Sequence, residues 1–236
     1  MSCTECGRKG GCDARKGTMI EAIEHALGRL YPGRSWNRRD EAAAFGAGLS
    51  AGEGDALARA LAARLHTTAV FRAGDPDETC DYVYVQCLGR PPSLLEWREG
   101  TLDDTRASVV RAALAQAGAA GIDELYLRVA LSSLARFAAV QEVAVSARSG
   151  EGDGAVLLTE TPRAGVFDPM LLRRVQQLVG VLAEQQIRHL DFGEIVEPPA
   201  DYDPGDYLAE WGRPPAIANY LFYPQPPATI VSTTLT

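Results

Sequence analysis

Asp81-Tyr-Val-Tyr-Val-Gln-Cys87 alternates at every step, with Val83, Val85 and Cys87 on one side and Tyr82, Tyr84 and Gln86 on the other. A period of two sends successive side chains to opposite faces of an extended chain, so the stretch reads as a β-strand. Moving outward, residues 68–73 form a second strand before it, across the acidic loop Asp75-Pro-Asp-Glu-Thr. Residues 140–148 and 155–161 read as a hairpin closed by Gly150-Glu-Gly-Asp-Gly154. A further strand is expected near 190–196.

Helices separate these strands. Thr18-Met-Ile-Glu21 and Ser50-Ala-Gly-Glu53 both have capping-box spacing, in which the first side chain and the Glu satisfy each other's exposed N–H groups. The first opens a stripe of Ile20, Ile23, Leu27, Leu30 and Tyr31; the second opens Leu57, Leu61 and Leu65. A short helix is expected over 38–45, and longer ones over 101–117 and 122–137. Asp168-Pro169 is a strong helix start, followed by an apolar face of Leu171, Leu172, Val175, Leu178, Val179, Leu182 and Ile187. Adjacent strands with separate helices predict an α+β fold, with a mixed or mostly antiparallel sheet and amphipathic helices, preceded by a cysteine-rich N-terminal segment. Three parts are expected: 1–17, a cysteine-rich cluster- or metal-binding segment; 18–197, the α+β domain; and 198–236, a tail rich in proline and aromatics that wraps the domain or a partner.

The chain has 236 residues, 46% of them hydrophobic, which is enough for a sizeable core. Its formal net charge of −8 argues against a broad nucleic-acid surface, because phosphate binding needs clustered Lys and Arg. No apolar run reaches the ~20 residues of a membrane span, and the polar start carries no apolar signal core. A cytoplasmic protein with reduced thiols is the expectation.

Three of the five cysteines lie at Cys3, Cys6 and Cys12, among Gly7, Gly10 and Gly11 and the basic Arg8, Lys9, Arg15 and Lys16. A Cys-x2-Cys pair brings two thiolates to one metal from a tight turn, and glycines let the backbone curl around a bulky ligand. Three thiolates supply most of an iron–sulfur site, which takes about four. Cys80, in the acidic loop, complements the basic segment and is chosen as the fourth ligand. Cys87 shares a face with Val83 and Val85 and reads as a small buried hydrophobe. An extended chain places these two cysteines ~23 Å apart on opposite faces. The Cys-x2-Cys-x5-Cys spacing with a distant fourth cysteine resembles the cluster-binding segment of the oxygen-sensing fumarate-and-nitrate-reduction regulators. That resemblance covers the spacings alone. No cyclic-nucleotide-type β-roll and no helix-turn-helix accompanies it, and the family's function is not carried over.

The expected protein therefore holds an iron–sulfur cluster, of [4Fe–4S] type, on Cys3, Cys6, Cys12 and Cys80. Its role would be electron transfer, redox sensing or assembly of a partner metalloenzyme, with a protein partner and without nucleic acid or membrane. Two alternatives stay open: zinc on the same thiols stapling an interaction protein, and an enzyme using one of them as a redox thiol. Zinc sites usually pair two short knuckles, and the second is missing here. His25, His66 and His189 are scattered and read as structural. No nucleophile elbow, zinc-protease helix or dinucleotide fingerprint is present, and catalytic activity is not expected.

Overall fold

The computed structural model describes residues 21–31, 33–38, 48–74, 79–89, 93–98, 104–149, 156–163, 166, 168–222 and 231–235. The architecture is α+β. Helix α1 covers residues 21–30, and a 3-10 turn covers Trp36–Arg38. Then follow α2 (Ala51–Leu65), β1 (Ala69–Arg72), β2 (Cys80–Leu88), α3 (Leu94–Arg98) and α4 (Asp104–Ala117). The central strands β3 (Ile122–Ser132), β4 (Phe137–Ser149) and β5 (Val156–Pro162) come next, followed by α5 (Pro169–Glu184) and β6 (Arg188–Leu190). The chain continues through α6 (Phe192–Ile195), α7 (Gly205–Trp211) and α8 (Ile217–Leu221) to β7 (Val231–Leu235).

The strands form one sheet in the order β1-β2-β3-β4-β5-β7, each neighbour antiparallel, while β6 runs parallel to the first part of β4. Helices cover both faces. On the first face, Tyr82, Tyr84 and Tyr126 pack with Ile23, Leu27 and Leu30 of α1, Val110 and Leu114 of α4, and the later Tyr207, Tyr220 and Phe222. On the second, Val83, Val85, Leu127 and Val129 pack with Leu57 and Leu61 of α2 and Leu178 and Leu182 of α5. Each fully buried Leu or Val of this kind contributes about 1.5–3 kcal/mol relative to an exposed one.

Local signals hold where they rest on caps. Ser50 Oγ accepts from Glu53 N at 3.4 Å, and the Glu53 carboxylate accepts from Ser50 N at 2.9 Å. The bond from Ser50 N, a second from Ser50 Oγ to the carboxylate at 2.8 Å, and Arg136 hold the Glu53 carboxyl down to about 2. Asp168 Oδ1 accepts from Met170 N at 2.7 Å, with Pro169 in the first turn of α5. The Thr18 capping residues, most of the expected 38–45 helix and the 150–154 turn lie outside the described residues.

Three expectations are corrected. Residues 122–137 are not a helix: 122–132 are β3, 133–136 turn, and β4 begins at Phe137. Leu125, Leu127, Val129 and Leu131 line one face and Glu124, Tyr126, Arg128 and Ala130 the other, a period of two that β-sheet pairing stabilises over any helical stripe. Near 190–196 the strand is only Arg188–Leu190, after which Asp191 caps α6 by accepting from Gly193 N at 2.8 Å. In α5, Leu172 is exposed rather than part of the packed face.

The helical glycines separate two kinds of packing. A Cβ on Gly54 of α2 would lie 2.2 Å from the Phe71 ring, whereas one on Gly180 of α5 meets nothing within 4 Å. Gly54→Ala is therefore expected to lower stability despite its better helix propensity. Gly180→Ala should raise it by about 0.5–1 kcal/mol, read as a shift in urea midpoint at unchanged m-value.

Candidate functional site

Cys3, Cys6 and Cys12 lie outside the described residues. Cys80 opens β2 and is 1% exposed. Its Sγ donates to Tyr82 Oη at 2.9 Å and lies 3.6 Å from the carbonyl oxygen of Phe222. It belongs to the first core, the one that also contains α1. Cys87 is half-buried against the second core, on the opposite face. Burial pushes the Cys87 thiol up, and Arg174 beside it works in the other direction. The order of burial is thus the reverse of the sequence expectation: the residue at the strand mouth is sealed, and the one expected to be a core hydrophobe is half-open. Phe222 and the Tyr82 side chain seal the mouth of β2, and neither is adjacent to Cys80 in sequence. Among the described residues, no three His, Cys, Asp or Glu side chains converge as a metal site.

The first face of the sheet holds a row of buried polar side chains that begins at this thiol. The Arg128 guanidinium carbon sits 5.2 Å from the Tyr82 ring centroid, and Arg128 is 6% exposed. Gln141 stands opposite it on β4, and Gln141 Oε1 accepts from Arg128 Nε at 3.1 Å and Nη2 at 2.6 Å. Gln141 Nε2 is buried without a hydrogen-bond partner among the described residues. Burial works against the charge of Arg128, and the neighbouring Tyr84, Tyr82 and Glu160 act the opposite way and prevail. The rings continue the row, Tyr82 to Tyr84 at 6.3 Å between centroids and Tyr84 to Tyr126 at 6.4 Å.

The row ends at Glu124, 4% exposed. One carboxylate oxygen accepts from the Tyr126 hydroxyl and, at 2.9 Å, from Leu94 N at the start of α3; the other accepts from Gln86 Nε2 at 3.2 Å. A bulge between Gln86 and Leu88 and a positive φ of 133° at Gly89 let β2 turn away beside it. A Cβ on Gly89 would meet Gln86 Nε2 at 2.6 Å, so the turn closes on this carboxylate. Chemically the row offers a buried cation, a buried carboxyl group and phenol rings in tilted and edge-to-face contact. Sequence reasoning missed Glu124, Arg128 and Gln141. For Glu124 and Arg128 the signal was present in the alternation of 122–131 but was assigned to a helix; Gln141 lay in an expected strand, and only its pairing with Arg128 marks it out.

Burial pushes the Glu124 carboxyl up, against the hydrogen bonds from Tyr126 and Leu94 that favour its charged form. An acid whose folded pKa is raised binds its proton more tightly in the folded state. Its contribution is therefore fully present below the ordinary range near ~4.3 and is lost as pH rises through the raised folded value. Glu124→Gln is expected to flatten that segment of the stability–pH curve. Urea unfolding from pH 4 to 8 reads it as a wild-type minus variant difference that falls with rising pH; a constant difference would contradict the assignment.

Compared with family models, curated proteins and solved structures, the chain matches none.

Proposed function

We propose that this chain is an iron–sulfur protein whose cluster, of [4Fe–4S] type, is held by Cys3, Cys6, Cys12 and Cys80. It would act in electron transfer, redox sensing or assembly of a partner metalloenzyme. The observation that carries this is the Cys3-x2-Cys6-x5-Cys12 spacing within a glycine-rich, basic segment. The position of Cys80 supports its choice over Cys87. It packs in the same core as α1, the helix that follows the cysteine segment in sequence, whereas Cys87 packs on the far face.

The surroundings of Cys80 define what ligation asks of it. A buried thiol resists deprotonation, so the metal must supply the stabilisation that water cannot. The Tyr82 hydroxyl at 2.9 Å can then reverse its role and donate to the thiolate. The Phe222 carbonyl, 3.6 Å from Sγ, is an alternative acceptor for the same thiol proton, and that interaction is lost on ligation.

Protein purified without oxygen is expected to be brown, with absorbance near ~400 nm and about four iron and four sulfide per chain. Cys3→Ser, Cys6→Ser, Cys12→Ser and Cys80→Ser should each lower that content, and Cys87→Ser should keep it. A colourless protein with one zinc would replace this proposal with the zinc-stapled alternative. Loss of iron in Cys87→Ser with retention in Cys80→Ser would move the fourth ligand to the other face.

A further inference from the structure

A cleft of about 510 Å³ opens between α1 and the loop at residues 197–202, and no residue of the buried polar row lines it. That size lies within the range of small-molecule sites, roughly 300–1,000 Å³. Its floor is apolar, built from Ile23, Leu27, Pro198, Pro199 and Ile217. Its rim carries the carboxylates Glu24, Glu197 and Asp201 against a single cation, Arg34. Arg34 is already engaged, with Nη1 3.7 Å from Asp201 Oδ2 and its guanidinium 5.9 Å from the Tyr202 ring centroid.

Two features border this space. Gly28 lines the cleft from inside α1, and a Cβ there would meet nothing within 4 Å. Glycine inside a helix costs about 1 kcal/mol relative to alanine, and here no close contact requires it. A larger side chain there would occupy open space at the cleft. The mouth is also held in a costly backbone conformation: Arg34 and Asp201 both have positive φ, 54° and 59°. Their loops are locked together by Trp36 N donating to Asp203 O at 3.0 Å and Asp203 N donating to Arg34 O at 2.7 Å.

We infer that this cleft binds a small molecule with an apolar body and a cationic amine head. The body would lie over Leu27 and Gly28 and the amine would face Glu24 and Glu197. A carboxylate-bearing ligand is disfavoured, because among the described lining residues Arg34 is paired with Asp201 and Glu24 and Glu197 leave the rim negative. None of the described residues lining the cleft is a cysteine.

The test is a titration of the full chain followed by two-dimensional amide NMR, with phenethylamine as probe and 3-phenylpropionate as its charge-reversed counterpart. Phenethylamine should give saturable shifts confined to residues 21–34 and 197–217, and 3-phenylpropionate should bind at least about tenfold more weakly. Gly28→Leu fills the cleft and should weaken phenethylamine about tenfold without lowering thermal stability. Glu24→Gln/Glu197→Gln changes only exposed side chains and should do the same, which keeps the test valid if the first variant misfolds. The inference is overturned by the absence of saturable shifts, by equal binding of the two probes, or by a folded variant of either kind that retains full affinity.

Discussion

The pairing of β3 with β4 governs the rest of the molecule. Ten successive residue pairs, from Ile122 with Ala147 to Leu131 with Ala138, hold these strands in register, and β2 closes the other edge of β3. Helices then cover both faces, so from Tyr126 to Ser132 β3 has no side that meets water. Its odd-numbered positions from 125 to 131 are aliphatic and satisfy this at no cost. Its even-numbered positions include Glu124, Tyr126 and Arg128, each of which needs a partner inside the protein. A shift of one residue would send all three to the opposite face, against the aliphatic core of α2 and α5.

The partners found are specific. Arg128 meets Gln141 directly across the ladder, so the register that buries the charge also supplies its acceptor. Glu124 gathers donors from three elements: Gln86 on β2, Tyr126 on β3 and the backbone N–H of Leu94 at the start of α3. An ionised carboxylate taken from water costs several kcal/mol unless such donors are in place, so the carboxylate and the start of α3 fix each other. Glu96 in the first turn of the same helix accepts from Arg106 Nη2 at 3.1 Å, which ties α3 on to α4. The polar row thus orients part of the helical layer as well as occupying its interior.

What was legible in the sequence follows from the range of each interaction. The Ser50 and Asp168 caps, the β2 alternation and the β4–β5 hairpin are local, and they appear in the structure. The 122–132 strand was lost because Leu, Ala and Arg suit a helix in isolation, and only the long-range pairing with β2 and β4 overrides them. With that strand went Glu124, Tyr126 and Arg128 of the polar row, and with Arg128 the reason to single out Gln141 on the correctly expected β4. The burial of Cys80 was equally out of reach, since Phe222, which lies against its sulfur, is 142 residues away. The opposite facing of Cys80 and Cys87 was within reach, because it needs only the strand's own period.

That period also bears on how one thiol is set apart from the other. Cys80 falls on the face shared with α1, with Tyr82 Oη beside its sulfur; Cys87, seven positions on, falls on the face of α2 and α5. Desolvation disfavours a thiolate at Cys87, and Arg174 offsets this only in part. Cys80, at 1% exposure, gains no stabilisation from water either, but it has a phenol positioned to donate. A phenol two residues away on the same strand face is fixed by the backbone and needs little reorganisation to change from acceptor to donor. A soft metal centre, or a deprotonated sulfur formed by any other route, would meet an oriented donor at Cys80. At Cys87 it would meet the Arg174 guanidinium of α5 on the opposite face.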